Sequence, residues 1–217
     1  MQGKKILITA GPTQEPIDAV RYISNRSSGK MGFAIANAAA LRGAEVTLIS
    51  GPVSLQTPRN VTRVDVQTAE EMAEAVQDRF AKHEAVIMAA AVADFTPSRP
   101  AKKKMKKEDL KGENIHLELH QTKDILASLG EKKDGKILVG FALETDDEVR
   151  NAKEKLKRKH LNFIVLNNPL VEGAGFGADT NVVSIIDKSG AVKKLPRLSK
   201  FDVANAILDR VAEILKK

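Results

Sequence analysis

The chain has 217 residues, 42% of them hydrophobic and 29% charged, a balance that fits one large or two small globular domains and excludes disordered or fibrous classes. Its longest apolar run, 85–93, is under half the ~20 residues of a membrane-spanning helix, and the lack of any cysteine removes disulfides, thiolate nucleophiles and cysteine-ligated metals. The net charge of +7 is concentrated in two runs, KKKMKK at 102–107 and RNAKEKLKRKH at 150–160, which either serve a polyanionic partner or form solvated faces.

Residues 4–10 (KKILITA) form a short apolar run ending at Gly11-Pro12, the pattern of a buried first strand followed by a loop. Residues 30–42 place Met31, Ala34, Ile35, Ala38 and Leu41 at helical spacing, with Gly43 as the stop. Strands follow at 44–50 and 61–66, and Thr68 with Glu71 predicts a capping box for a helix to about Lys82. A fourth strand covers 85–91. From Asp94 to Gly112 proline and lysine replace any apolar period, which predicts a mobile flap. Beyond it come a strand at 115–119, a helix at 122–129, a buried strand at 136–143, a helix at 146–160 and a strand at 162–167. A glycine-rich loop spans 168–181, a hairpin pairs 182–187 with 191–194, and Ser199 caps a helix to about Leu215. This alternation predicts an α/β class, doubly wound around a parallel sheet.

Ligands of such sheets bind beyond the carboxyl ends of the strands, which directs attention to the segments after the first and fourth strands. The first carries Ser27, Ser28 and Gly29 immediately before a helix. They form either a phosphate cradle of backbone amides and hydroxyls or an ordinary N-cap. A dinucleotide enzyme fits poorly. The loop is about twenty residues long where G-x-G-x-x-G needs a tight turn, and Ser50-Gly51 stands where a ribose-binding acid is expected. In the flap, Asp94 either caps the loop, contacts a ribose or binds Mg²⁺, and a flap lysine can close over a triphosphate. His116 and His120 fall on the polar side of an alternating strand, against a zinc site. One Tyr and no Trp count against single-stranded nucleic acid as the partner.

Together ITAGPT (8–13), VRYISNRSSGKMG (20–32), SGPV (50–53), AAAVAD (89–94) and KMKK (104–107) resemble, in this order and over essentially the whole chain, the bacterial phosphopantothenate–cysteine ligases of coenzyme A biosynthesis. The resemblance implies one ligase domain over 1–217. Its fold is a Rossmann-like, mostly parallel sheet extended by mixed or antiparallel strands in the C-terminal half. The implied reaction activates 4′-phosphopantothenate with CTP, with Mg²⁺ as cofactor and no flavin in this chain, after which the amine of L-cysteine displaces CMP. It further implies a homodimer; the residues themselves, with Met1-Gln-Gly-Lys-Lys leading straight into a strand-like run and no signal-peptide core, predict a cytoplasmic location with no membrane partner, and no nucleic-acid partner is expected. The chain starts where the flavin-dependent phosphopantothenoylcysteine decarboxylase half of bifunctional members would end, so that enzyme is either a fused or an associated partner.

Carried over by position, the resemblance makes Asn25, Arg21 and Lys104 the catalytic set. Met88, Ala89, Ala90, Asp94, Lys123, Asp124, Ile125, Leu126, Phe141, Lys155 and Lys159, together with Lys104, become the nucleotide site, while Ser27, Ser28 and Gly29 hold phosphate or substrate. Thr122-Lys123-Asp124-Ile125 departs from the family's usual Asn-Pro-Asp-Ile, and the three successive lysines at 102–104 leave the register of the flap lysine open.

Overall fold

The computed structural model describes residues 1–106, 115–143, 146–167 and 177–216. The chain opens with β1 (Lys5–Ala10), a hairpin of β2 (Gln14–Pro16) and β3 (Tyr22–Ser24), and α1 (Lys30–Leu41). Next come β4 (Glu45–Ser50), β5 (Val61–Asp65), α2 (Ala69–Phe80) and β6 (Ala85–Met88), then a ribbon of β7 (Phe95–Pro97) and β8 (Leu119–Gln121). The remainder is α3 (Ile125–Glu131), β9 (Ile137–Leu143), α4 (Glu148–Arg158), β10 (Phe163–Asn167), β11 (Thr180–Asn181), β12 (Val183–Asp187), β13 (Val192–Lys194), β14 (Leu198–Ser199) and α5 (Lys200–Leu215).

Eight strands form the central sheet in the order β13-β12-β10-β9-β6-β1-β4-β5. It is parallel from β5 to β10, and β12 and β13 extend it antiparallel, as the sequence predicts for the C-terminal half. The strand order reverses direction between β1 and β6, which opens a crevice at their carboxyl ends. Alternate residues of β1 serve opposite faces. Ile6, Ile8 and Ala10 pack with Ile35, Ala38, Val203 and Ile207 of α1 and α5, while Leu7 packs with Met72, Val76, Leu129 and Leu156 of α2, α3 and α4. Burial on both faces explains why β1 and β6 read as unbroken apolar runs.

The capping box of α2 is present, with Glu71 N donating to Thr68 Oγ1 and the Glu71 carboxylate accepting from Thr68 N. Ser199 caps α5 by accepting from Asp202 N at 3.0 Å. Neither serine before α1 caps it. Gly29 holds that position with φ +75°, a left-handed conformation that favours glycine, and no side chain caps the helix. Gly32 lets the first turn of α1 lie on the end of β1, since a Cβ there would stand 2.5 Å from Ala10 Cβ.

Three expectations change. Leu41, placed by periodicity on the buried face of α1, is 71% exposed, because α1 rests on the sheet through Phe33, Ile35, Ala36, Ala38 and Ala39 and turns Leu41 outward. The expected strand at 115–119 begins only at Leu119, and Ile115 and Leu117 are exposed, because alternation alone supplies no partner surface for them. The described part of the flap is not featureless. Phe95–Pro97 pairs with Leu119–Gln121 as an antiparallel ribbon, Ala101 N donates to Ile17 O at 2.9 Å, and Met105 is held by Asp18 and Arg21. Flap residues 107–112, including Lys107, and the glycine-rich 168–176 lie outside the described residues. No helix among the described residues is long and apolar enough to cross a membrane.

Candidate active site

A cavity of about 980 Å³ lies over the carboxyl ends of β1, β6, β9 and β10, at the reversal of strand order. Its floor is laced together by hydrogen bonds. Ala91 N donates to Gly11 O at 2.8 Å and Ala93 N to Thr13 Oγ1 at 3.0 Å, so the segments after β1 and β6 form one surface. Asn25 joins them from above, its Nδ2 donating to Ala91 O at 3.2 Å and Val92 O at 3.0 Å. Ala90 N donates to Thr9 Oγ1 at 3.1 Å, which fixes the backbone of the Met88–Ala90 wall.

Ser27, Ser28 and Gly29 border the same cavity. Ser27 Oγ accepts from Gly29 N at 3.3 Å, a turn that directs the chain into α1. With no acid in its first turn and no capping side chain, α1 leaves the partial positive charge of its amides to be met by an anion.

The residues expected at a nucleotide site converge here from five segments: Met88, Ala89 and Ala90; Asp94; Lys123, Asp124, Ile125 and Leu126; Phe141; and Lys155 and Lys159. Lys155 and Lys159 lie one turn apart on α4, and Lys155 Nζ donates to Phe141 O at 3.0 Å. Lys159 Nζ pairs with both oxygens of Asp124 at 2.8–2.9 Å, while Asp124 caps α3 through Ala127 N at 3.0 Å. Burial pushes the Asp124 carboxyl up, but the Lys159 and Ala127 hydrogen bonds outweigh it and hold the group below the usual carboxylate range. Thr122, at the departure from the family pattern, donates through Oγ1 to Ala93 O at 2.6 Å and through its amide to Asp94 O at 3.0 Å. It thereby ties the approach to α3 to the Asp94 loop.

Arg21 and Lys104 stand outside the cavity lining. Arg21 is bound to Asp18 and Met105, and Lys104 is exposed one residue before that anchor. The sequence reading also missed Arg26, Lys30, Asn167, Asn181 and Lys200, all of which border the cavity. Lys30 stands within the quoted SSGKMG string, so its position at the head of α1 was available as a cue. Lys200, by contrast, is brought in only by the packing of α5 on α1. Among the described residues no three His, Asp or Glu side chains gather as a metal cluster. The exposed Asp94 carboxylate suits Mg²⁺, which takes one or two carboxylates and draws its other ligands from phosphates and water.

Fold and site together define a doubly wound α/β domain with a lysine-lined crevice at the reversal of strand order. The chain belongs to the family of C-terminal domains of DNA/pantothenate metabolism flavoproteins, whose model matches residues 1–215. It is 50% identical over 218 residues to the coenzyme A biosynthesis bifunctional protein CoaBC of Bacillus subtilis, covering 100% of this chain and 53% of that protein. It is 49% identical over 217 residues to a cysteine/cysteine sulfinic acid decarboxylase from an unknown prokaryotic organism, covering 99% and 60% respectively. The chain thus spans little more than half the length of these relatives. The crystal structure of the C-terminal domain of a CoaBC protein is similar, with a TM-score of 0.84, 43% identity and coverage of 100% of this chain and 97% of that one.

Proposed function

We propose that the chain is a phosphopantothenate–cysteine ligase domain that joins 4′-phosphopantothenate to L-cysteine at the expense of CTP. The observation that carries this reading is the convergence of Asn25, the Ser27–Gly29 turn, Asp94 and the Lys155/Lys159 pair on one cavity at the strand-order reversal. Two displacements follow. A carboxylate oxygen of phosphopantothenate attacks the α-phosphorus of CTP, the bond to the α,β-bridging oxygen breaks, and pyrophosphate leaves with the electron pair. The cysteine amine then attacks the acyl carbon, CMP leaves, and the amine proton passes to solvent.

Orientation and charge neutralisation supply the acceleration. The uncapped start of α1 receives phosphate, Asn25 stands over the acyl group, and Asp94 holds either the ribose or Mg²⁺. When bound, Mg²⁺ draws charge from the phosphate oxygens. Lys104 closes from the flap and Arg21 supports formation of the intermediate. In this reading the flavin in the family's description belongs to the other portion of the longer relatives, a decarboxylase fused to or associated with this domain in the cytoplasm.

A homodimer is part of the proposal. Tyr22 on the β2–β3 hairpin and Phe95 and Leu119 on the adjoining β7–β8 ribbon are large apolar side chains left 42–51% exposed, and Arg21, just before Tyr22, lies beside the flap. The test is formation of phosphopantothenoylcysteine and pyrophosphate from purified protein, with CTP compared against ATP. Amide formation that requires CTP is expected; its absence with every nucleotide overturns the reading.

A further inference from the structure

The cavity has a second cationic wall, to which the resemblance assigns no role. Lys30 opens α1 and Lys200 opens α5, and the packing of these helices brings both side chains to the same edge of the cavity. Lys30 Nζ donates to Gly177 O at 2.8 Å and to Asp179 Oδ1 at 2.7 Å. Lys200 Nζ donates to the carbonyls of Ala178 and Thr180, and the residue is only 7% exposed. Burial, and after it the charge of Lys30, holds the Lys200 ammonium below its ordinary pKa, with Asp179 pulling the other way.

Lys30 is thus paired with the Asp179 carboxylate, whose side chain is 89% exposed, and Lys200 lies within the electrostatic reach of both. Arg26 adds a third cation to this side of the cavity, beside the uncapped start of α1. The α3–α4 side also carries cations, Lys155 and Lys159, of which Lys159 is paired with Asp124. What sets the α1–α5 side apart is that its cations stand beside the N-terminus of α1, which has no acid in its first turn, so the more charged end of an elongated anion is favoured there.

We propose that Lys30 and Lys200 bind the two outer phosphates of the nucleoside triphosphate and retain the departing pyrophosphate, and that Asp179 competes with those phosphates for Lys30. The proposal rests on the ligase reading and adds the leaving-group subsite to it. As the bond between the α-phosphorus and the bridging oxygen breaks, negative charge grows on that oxygen, and fixed cations beside it stabilise the leaving group more than the bound triphosphate. Because Lys30 and Lys200 both grip the 177–180 segment, phosphate binding is coupled to the backbone of that segment.

The test is calorimetric titration of inorganic pyrophosphate and, separately, CMP into wild type, Lys30→Gln, Lys200→Met, Lys200→Arg and Asp179→Asn. Lys30→Gln and Lys200→Met should each raise the pyrophosphate Kd by about tenfold or more, the scale of a lost charged hydrogen bond, and shift the CMP Kd by less than about twofold. Lys200→Arg should keep pyrophosphate affinity, and Asp179→Asn should improve it. Equal weakening of CMP and pyrophosphate would mean that the lysines only staple the 177–180 segment, and the proposal falls. It also falls if pyrophosphate binding is indifferent to both lysines. Should Lys200→Met fail to fold, the opposite shifts of Lys30→Gln and Asp179→Asn decide alone. Lysine-dependent pyrophosphate binding without CTP-dependent amide formation would sink the ligase reading and leave the subsite. Unchanged amide synthesis in Lys30→Gln would do the reverse.

Discussion

Asp18 and Arg21 form a fork-to-carboxylate pair that also grips the flap. Asp18 Oδ2 accepts from Arg21 Nε at 3.0 Å and from the Met105 amide at 3.1 Å, while Arg21 Nη2 donates to Met105 O at 3.0 Å. The Arg21 guanidinium, aided by the Val20, Arg21 and Met105 amides and only partly opposed by burial, holds the Asp18 carboxyl well below the usual carboxylate range. The anchor therefore stays ionised throughout the neutral range. Asp18→Ala removes it. Amide exchange at Met105 is expected to accelerate by roughly tenfold or more, the size of a lost charged hydrogen bond, while the β1 amides remain protected. Uniform acceleration across the sheet would show that Asp18 supports the fold rather than the flap.

Asn25 uses its amide nitrogen to bridge two carbonyl oxygens, Ala91 O and Val92 O. In Asn25→Asp an anionic oxygen faces those carbonyls or turns toward the substrate phosphate, and either placement is repulsive. Turnover should fall by about a hundredfold or more, as on removal of a single catalytic donor. Thermal stability should change little, because Asn25 is exposed. A large drop in Tm, with residual activity tracking the folded fraction, would make Asn25 a structural residue.

Lys104 precedes the Met105 anchor, so its backbone is located while its side chain remains exposed. Steady-state kinetics on Lys103→Gln, Lys104→Gln and Lys106→Gln separates a dedicated lysine from a diffuse field. The expected result is one loss in kcat of about a hundredfold at position 104, with a modest change in the KM for CTP. Three small equal losses would count against a dedicated residue.

His83 is a buried histidine whose Nδ1 donates to Arg79 O at 2.7 Å and whose Nε2 accepts from Thr47 Oγ1 at 3.1 Å. Burial, reinforced by the charges of Lys5 and Lys136, holds its pKa below the ordinary 6.5. Between the depressed value and 6.5 the unfolded chain binds a proton that the native state refuses. Its stabilising contribution is thus complete above pH 6.5 and is lost as pH falls through that window. Comparing Tm at pH 7.5 and 5.5, wild type should lose more than His83→Gln; equal losses would assign the acid sensitivity to other groups.

The large parallel elements were legible because their signals are local. β1 and β6 are apolar runs, and Thr68 with Glu71 announces α2. The β2–β3 and β7–β8 ribbons were not, because three-residue strands such as Gln14–Pro16 carry no period, and Phe95–Pro97 pairs with a strand on the far side of the lysine run. At the site, the resemblance named cavity residues from five segments, yet it did not reveal that Arg21 and Lys104 stand off the cavity wall. Lys200 went unassigned to the site for another reason. It reaches the cavity through contacts between the first and last helices, and no window of sequence contains both.

The packing of α5 on α1 has a consequence for the chain as it is made. Val203, Ile207 and Val211 complete the core beside Ile35 and Ala38, and Lys200 completes the rim of the cavity, yet α5 leaves the ribosome after every strand of the sheet. Until it docks, α1 presents a bare apolar flank and the cavity lacks one wall. Maturation of the core and completion of the cavity therefore coincide.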